Sequence, residues 1–253
     1  MRHYLELIYN LTWRTIRVRY KQSAFGIGWA MLQPLALMLI FVLIFSALLR
    51  IPSDGLPYPL FVYSALLPWT LFANSLTSAV TSLESNAGLI RKVRLPKAIF
   101  PMAGVLSGLV DFCIGLVIFL GLMLWYHVGF SWMLLWVVPI LVVQIAFTLG
   151  LCLLLAPLNA YYRDVRVALP LITQVWMYAT PIIYPLSMVP ERMRTLYMLN
   201  PMAGVVDSWR SVLAEGAAPS MVYLGTAAIG ATVLLVVGYV VFRRVEMTLA
   251  DVL

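Results

Sequence analysis

The sequence predicts an all-α integral membrane protein, because it is unusually apolar, poor in charge and divided into six long apolar runs. Of its 253 residues, 63% are hydrophobic and 11% are charged, and the mean hydropathy is +0.95. Soluble domains contain roughly 45–50% apolar and about 25% charged residues. A soluble core of this size could not enclose so much apolar surface, so we expect lipid to cover part of the chain.

Each of the six runs reaches the roughly 20 residues that a helix needs to cross a bilayer. The predicted transmembrane helices cover residues 27–49, 59–83, 98–126, 132–158, 167–186 and 221–242. Helices are expected because an open sheet edge cannot face lipid. Pro170, Pro181 and Pro185 interrupt the fifth run. No linker or internal repeat divides the chain, so residues 1–253 are expected to form one transmembrane domain.

The distribution of basic residues predicts the orientation of these spans. With six spans both termini lie on one side, and the segments on that side carry 13 Lys and Arg residues against 4 on the other. Cytoplasmic loops are enriched in Lys and Arg. Both termini are therefore expected in the cytoplasm, and the asymmetry accounts for the formal net charge of +7 without a nucleic-acid partner.

An amphipathic interface helix is predicted over residues 4–21, before the first span. Its polar face consists of Asn10, Arg14, Arg17 and Lys21. A separate, mainly apolar stripe consists of Tyr4, Ile8, Leu11, Thr15 and Val18. This pattern is typical of helices that lie along a membrane surface, although Arg19 falls off the basic face. The helix is either a lipid anchor or a collar that also contacts a cytoplasmic partner.

The segment 84–97 between spans two and three is basic but contains an apolar ridge. Leu89, Ile90 and Val93 would share one face of a short helix, which Pro96 would end. The segment is either a positively charged anchor or a coupling loop that fits a groove on a cytoplasmic subunit.

The segment 187–216 is too polar to span a membrane and too long for a turn. Asn200-Pro201 divides it into two amphipathic pieces, about residues 190–199 and 202–214. We expect an external helical hairpin before the last span, acting either as a gate or as a passive cap.

Polar side chains also occur inside the predicted spans. In span two, Asn74, Ser78, Thr81 and Ser85 recur at helical spacing. Such a stripe faces protein or water rather than lipid, so it serves either helix packing or a hydrophilic pathway. Asp111 is the one carboxylate well inside a span, and no titratable partner is evident in the other spans. A structural, hydrogen-bonded role is therefore expected for this buried aspartate.

Aromatic residues cluster near the predicted outer boundary: Tyr58, Tyr63, Trp69, Phe72, Trp176, Tyr178, Tyr184 and Trp209. An interfacial aromatic belt is the ordinary explanation. Sugar rings also stack on aromatic faces, so a path for a glycan is the alternative.

Motifs for catalysis and cofactor binding are absent from the sequence. It contains no G-x-x-x-x-G-K-[ST] loop for ATP phosphates, no H-E-x-x-H or G-x-S-x-G motif, and no paired-cysteine metal spacing. We therefore expect no catalytic residue, metal or cofactor in this chain and do not expect an enzyme.

A series of distinct short motifs extends along nearly the whole chain. They are Arg17–Gly26, Gly28-Trp29, Gln33-Pro34-Leu35, Leu67-Pro68-Trp69 with Phe72, Asn86, Leu89-Ile90-Arg91-Lys92, Leu95-Pro96-Lys97, Phe100-Pro101, Tyr162-Arg163-Asp164-Val165, Thr180–Pro185, Asn200-Pro201 and Trp209-Arg210. The ordered set resembles type-2 ABC exporter permeases for O-antigen and related polysaccharides. Spans three and four and the last span diverge from the pattern.

The resemblance implies a homodimeric permease of the bacterial inner membrane that works with two cytoplasmic ATP-binding cassette subunits. Those subunits would bind ATP and Mg²⁺, and the complex would export a lipid-linked polysaccharide. The implied ATPase contact comprises Leu89, Ile90, Arg91, Lys92, Arg94 and Lys97, with Arg163, Asp164, Arg14 and Arg17 nearby. The candidates for the translocation path are Trp69, Phe72, Asn74, Ser78, Trp176, Tyr178 and Tyr184.

Two alternatives stay open at this point. The same fold could export a drug or a small lipid. The chain could also be an intramembrane enzyme that acts on lipid-linked sugars without ATP, although the absence of catalytic motifs disfavours this alternative.

Overall fold

The computed structural model describes residues 2–21, 25–93 and 95–249, and the regular elements in these ranges are helices. Arg94 of the predicted coupling loop lies outside the described residues, as do residues 22–24 of the N-terminal motif. The helices are α1 (Arg2–Tyr20), α2 (Gly28–Phe41), α3 (Tyr58–Val80), α4 (Ser82–Ser85), α5 (Ala87–Lys92), α6 (Ile99–Trp125), α7 (Val137–Tyr161), α8 (Asp164–Tyr178), α9 (Glu191–Met198), α10 (Pro201–Arg210) and α11 (Met221–Val245). Two π-helical segments, Val42–Leu48 and Ser211–Glu215, extend α2 and α10.

Among the described residues, five helical segments are long and apolar enough to cross a membrane, one fewer than predicted. They are Gly28–Leu48, Tyr58–Val80, Ile99–Trp125, Trp132–Tyr161 and Met221–Val245. The predicted fifth span is the exception, because α8 ends at Tyr178 after 15 residues, about 22 Å of helix. Irregular turns follow it, since Pro181 and Pro185 lack an amide hydrogen and disfavour helix in the preceding residue.

The two ends of the helix bundle differ in charge. The basic end holds α4, α5 and the start of α6, together with the C-terminal ends of α7 and α11. Its exposed or half-buried cations are Arg91, Lys92, Lys97, Arg163, Arg166, Arg243 and Arg244. A cluster of buried apolar residues joins these elements, including Leu83, Phe100, Leu153 and Phe242. The start of α3, at Tyr58, marks the opposite end.

The segment that contains α8 reaches both ends of the bundle. At the basic end, Arg166 Nη1 lies 3.1 Å from Glu84 Oε2, just beyond the end of α3. At the opposite end, the Tyr58 hydroxyl donates a hydrogen bond of 2.9 Å to the carbonyl of Ile183. Helix α8 and the turns after it therefore run beside the full length of α3.

Small residues allow the closest helix crossings. A Cβ atom added at Gly150 of α7 would lie 2.6 Å from the backbone nitrogen of Leu235 in α11. One added at Gly104 of α6 would lie 2.7 Å from the Cα atom of Ala79 in α3. Close backbone approach of this kind is a principal source of packing energy between membrane helices, where lipid is as apolar as the side chains.

Candidate functional site

A cavity of about 640 Å³ lies between α1, α2, α3 and α6. The polar stripe, which begins on α3 and continues into α4, forms one wall, to which Asn74, Ser78, Thr81 and Ser85 all contribute. Trp29 and Gln33 of α2 and Phe112 of α6 line other parts of it. The stripe therefore borders an open space, which a purely helix-packing role would not require.

Hydrogen bonding along this cavity is uneven. The hydroxyls of Thr70 and Thr77 donate to carbonyls of their own helix at 2.9 Å. In contrast, the side chains of Gln33, Asn74 and Ser78 have no hydrogen-bond partner within the part of the chain that the structure describes. Their donors and acceptors are available to a molecule in the cavity.

A polar cluster beside the cavity joins α1 to the middle of α6. Arg19 Nη1 lies 2.5 Å from Asp111 Oδ2, and Arg19 Nη2 donates to the Ser107 hydroxyl at 3.3 Å. The Tyr20 hydroxyl donates to the second carboxylate oxygen of Asp111 at 2.7 Å. Burial, together with the neighbouring carboxylate, raises the pKa of Tyr20 to about 12, so this hydroxyl stays protonated as a donor.

The sequence did not predict Arg19 as the ion-pair partner of Asp111, because Arg19 lies on the interface helix and not in a span. The available signal was that Arg19 falls off the basic face of that helix. A basic residue on an otherwise apolar face needs a buried partner. Asp111 was the carboxylate at membrane depth that could provide it.

The predicted coupling loop is anchored by inward-facing apolar residues. Ile90 is only 6% exposed and packs with Leu11, Leu83 and Phe100, while Leu89 is half-buried. The following residues, Arg91, Lys92 and Val93, are exposed. The basic tip is therefore the accessible part of this loop, whereas Ile90 holds the loop to its own chain.

Side-chain contacts bring the other predicted coupling segments to the same end. Arg14 of α1 donates to the Asn86 amide oxygen at 3.2 Å, next to α5. Arg17, Arg163 and Asp164 are exposed. The interface helix, the α4–α5 loop and the start of α8 thus share one surface, although they are distant in sequence.

Lys97 is bound to the C-terminal end of α11. Its backbone amide donates to Glu246 Oε1 at 2.7 Å, and its ammonium group donates to the Glu246 carbonyl. Glu246 also pairs with Arg243 at 3.0 Å. Sequence reasoning did not single out Glu246, whose only signal was a carboxylate within a basic tail.

The aromatic candidates for the translocation path do not lie on the cavity surface. Phe72 is fully buried, with its ring centroid 5.3 Å from Trp69 and 5.2 Å from Trp176. Tyr178 is exposed at the end of α8, and Tyr184 donates to its carbonyl at 3.1 Å. The structure therefore separates these five residues from Asn74 and Ser78, which line the cavity.

The second arm of the predicted external hairpin is embedded in the bundle. Trp209 of α10 is fully buried, and its indole Nε1 donates to Gln144 Oε1 of α7 at 2.8 Å. Gln144 Nε2 in turn donates to the carbonyl of Pro68 at 2.7 Å. The Trp209 ring also packs edge-on against Phe112, near the middle of α6. The apolar face of α10 is covered by protein, which explains how a segment too polar to span a membrane lies this deep in the bundle.

Arg210 ties α10 to the turns that follow α8. It is buried, donates to the carbonyls of Pro181 and Ile182 at 2.7 and 3.1 Å, and lies 3.8 Å above the Phe61 ring. Burial lowers the pKa of Arg210 to about 10, still well above neutrality. Burial also raises the pKa of Asp207 to about 6, against the opposing charge of Arg210.

Within the described residues, no group of three or more His, Cys, Asp or Glu side chains could hold a metal ion. The polar features of this region, namely hydroxyls, amides and an ion pair, suit binding and conformational coupling.

Comparison with known proteins shows matches along most of the chain. Residues 6–214 match the family model described as ABC-2 type transporter. The chain is 29% identical over 249 residues to an O-antigen export system permease protein RfbA of Klebsiella pneumoniae, covering 98% of this chain and 95% of that one. It is 31% identical over 220 residues to the protein of the same name from Myxococcus xanthus, covering 85% and 83%. It is 24% identical over 246 residues to the polysialic acid transport protein KpsM of Escherichia coli, covering 92% and 91%.

Proposed function

Because the chain belongs to the ABC-2 type transporter family, we propose that it is the permease subunit of an ATP-driven exporter for a lipid-linked, O-antigen-like polysaccharide. The main observation in support of this proposal is the nearly full-length similarity to permeases named for O-antigen export. A relative named for polysialic acid transport supports the same cargo class. These names favour a glycan over a drug or small lipid as cargo.

The proposed topology has six membrane crossings and places both termini in the cytoplasm of the bacterial inner membrane. The contacts of Arg166 with Glu84 and of Ile183 with Tyr58 support a sixth crossing, made by α8 and the turns after it. Non-helical backbone at membrane depth is tolerated where protein covers it. In the turns after α8, the carbonyls of Pro181 and Ile182 accept hydrogen bonds from Arg210. The cations concentrated at the basic end support its cytoplasmic placement.

Energy for transport would come from ATP and Mg²⁺ bound to a separate cytoplasmic subunit. The exposed tip formed by Arg91, Lys92 and Val93 would contact that subunit, together with Arg17 and Arg163. Electrostatic complementarity at such a surface selects the partner and orients it.

Two copies of the permease would form the transport unit. Val167, Leu171 and Val175 are exposed on one side of α8 and form an apolar face. Such a face is covered either by lipid or by a second copy of the chain, and the homodimer proposal assigns it to the second copy.

The proposal is tested by deleting the gene and measuring surface polysaccharide, with re-expression of the intact chain as the control. We expect surface polysaccharide to disappear while lipid-linked glycan accumulates in the inner membrane. Purification of the tagged chain from the complemented strain should yield an ATP-binding subunit in equal amounts, with ATPase activity. Unchanged surface polysaccharide would overturn the cargo assignment, and a purified chain without an ATPase would overturn the exporter assignment.

A further inference from the structure

We infer that the cavity between α1, α2, α3 and α6 binds the lipid-proximal sugars of the glycan within each single permease. The inference rests on the proposed function and deepens it, because it places a substrate site inside one copy and not between two. Unpartnered polar side chains from two different helices converge on this cavity and carry the inference.

Asn74 and Ser78 of α3 and Gln33 of α2 all line the cavity. Their side chains have no partner within the described residues, while neighbouring threonines bond to their own helix. A polar group held at membrane depth without a hydrogen bond is destabilising. The three groups therefore require either water or a ligand in the cavity.

The chemistry of the lining favours a sugar. Amides and hydroxyls can each donate and accept hydrogen bonds, as the hydroxyls of a sugar also do. Trp29 and Tyr20 place aromatic rings on the same cavity. The charges of Arg19 and Asp111 are paired with each other at 2.5 Å, and Arg14, the other cation of the lining, hydrogen-bonds the neutral Asn86 amide. The cavity volume of about 640 Å³ lies in the range typical of ligand pockets.

The position of the cavity suits a sugar that is attached to a membrane lipid. Asn74 lies six residues from the last residue of α3, Val80, or about 9 Å from the basic end. The first sugars of a lipid-linked glycan lie next to the bilayer interface, because the lipid holds them there. The hydroxyl- and amide-lined wall would shield them from hydrocarbon as they leave the aqueous side.

Photo-crosslinking tests this site in cells whose glycan contains vicinal diols, the groups that periodate oxidises. The photoreactive residue p-benzoylphenylalanine is introduced at Thr77, which is exposed and lines the cavity. Thr232 of α11 is the matched control, because it is also exposed but lies outside the cavity lining. Both threonines donate to the carbonyl four residues earlier, at 2.9 and 2.8 Å. After irradiation, the permease is purified and stained for carbohydrate by periodate oxidation.

We expect a carbohydrate-bearing adduct at position 77 and none at position 232, and none in cells unable to make the glycan. No carbohydrate adduct at position 77, an adduct with phospholipid only, or equal adducts at both positions would overturn the inference. The adduct is scored whether or not the substituted protein still exports.

A second measurement avoids the bulky photoreactive residue. Asn74→Leu combined with Ser78→Ala should lower surface polysaccharide about tenfold, because hydrogen bonds to the sugar are lost. Thr232→Val should leave it unchanged. Normal export by the Asn74/Ser78 variant would overturn the site alone. Normal surface polysaccharide after deletion of the whole gene would instead overturn the proposed function.

Discussion

Arg19 Nη1 and Asp111 Oδ2 are 2.5 Å apart, which joins the last turn of the N-terminal helix α1 to the middle of α6. The Asp111 side chain is 10% exposed and the Arg19 side chain 29% exposed. A carboxylate at this depth is stable only when it is paired and hydrogen-bonded. The pair therefore holds α1 against the bundle as well as neutralising the aspartate.

Removing one partner of this pair should destabilise the protein more than removing both. Asp111→Asn and Arg19→Gln are each expected to lower the free energy of unfolding by about 3 kcal/mol, because each leaves one charge unpaired. The double variant should recover part of that loss. A double-mutant cycle in detergent micelles, followed by denaturant unfolding, measures the coupling. Strictly additive effects would show that the two charges do not interact.

Replacing Gly238 should disturb the crossing of α7 and α11. A Cβ atom there would overlap the carbonyl oxygen of Gly150, whereas one added at Gly225 on the same helix meets nothing within 4 Å. We expect Gly238→Ala to cost about 1–3 kcal/mol through overpacking. Gly225→Ala should be neutral or slightly stabilising. Thermal unfolding of the purified variants gives the comparison, and equal midpoints would contradict the packing argument.

Charge reversal at the tip of the coupling loop should weaken binding of the ATPase subunit without unfolding the permease. Arg91→Glu with Lys92→Glu is expected to reduce capture about tenfold, because both side chains are exposed at the basic end. Arg192→Glu, which reverses the charge of an exposed arginine on α9, is the control for charge reversal away from this tip. Undiminished capture by the double variant would exclude this tip as the contact.

Ile90 should behave differently from its exposed neighbours. It is 6% exposed and packed against Leu83 and Phe100, so Ile90→Asp would bury a charge without a partner. We expect a lower thermal midpoint of the isolated permease for this variant. An unchanged midpoint would show that the side chain is free to face a partner.

Asp207 should make the stability of the protein depend on pH in the acidic range. Burial raises the pKa of Asp207 to about 6, so the folded state binds a proton more tightly than the unfolded state does. The resulting stabilisation is fully present below about pH 4 and is lost as the pH rises through about 6. Asp207→Asn keeps this position neutral at every pH. The thermal midpoint of this variant minus that of the natural protein should therefore increase from pH 4 to pH 7. Parallel pH profiles of the two proteins would contradict this expectation.

Local patterns in the sequence were sufficient to predict most of the spans. Apolar runs identified the five long helices, and the i, i+4, i+7 spacing identified the stripe of Asn74, Ser78 and Thr81 that borders the cavity. Such patterns are readable because the bilayer requires continuous apolar length and because helical periodicity places residues on one face. The three prolines near residues 170–185 also marked the run that the structure leaves short of a full helix.

Pairings between distant elements were not readable in this way. No local pattern joins Arg19 to Asp111, Lys97 to Glu246, or Trp209 to Gln144. Each pair depends on how helices far apart in sequence come into contact. The burial of Ile90 is a further example, because its apolar character suits a partner's groove as well as the chain's own core.

The sequence by itself determined a polytopic helical membrane protein with one basic side, because hydrocarbon length, the need to satisfy backbone hydrogen bonds and the bias of Lys and Arg act on local composition. The tertiary structure decided which polar groups are satisfied and which remain available. It paired Arg19 with Asp111, buried Trp209 against Gln144, and left Gln33, Asn74 and Ser78 facing one cavity. Those outcomes follow from packing between helices, where a side chain's partner is set by three-dimensional proximity and not by spacing along the chain.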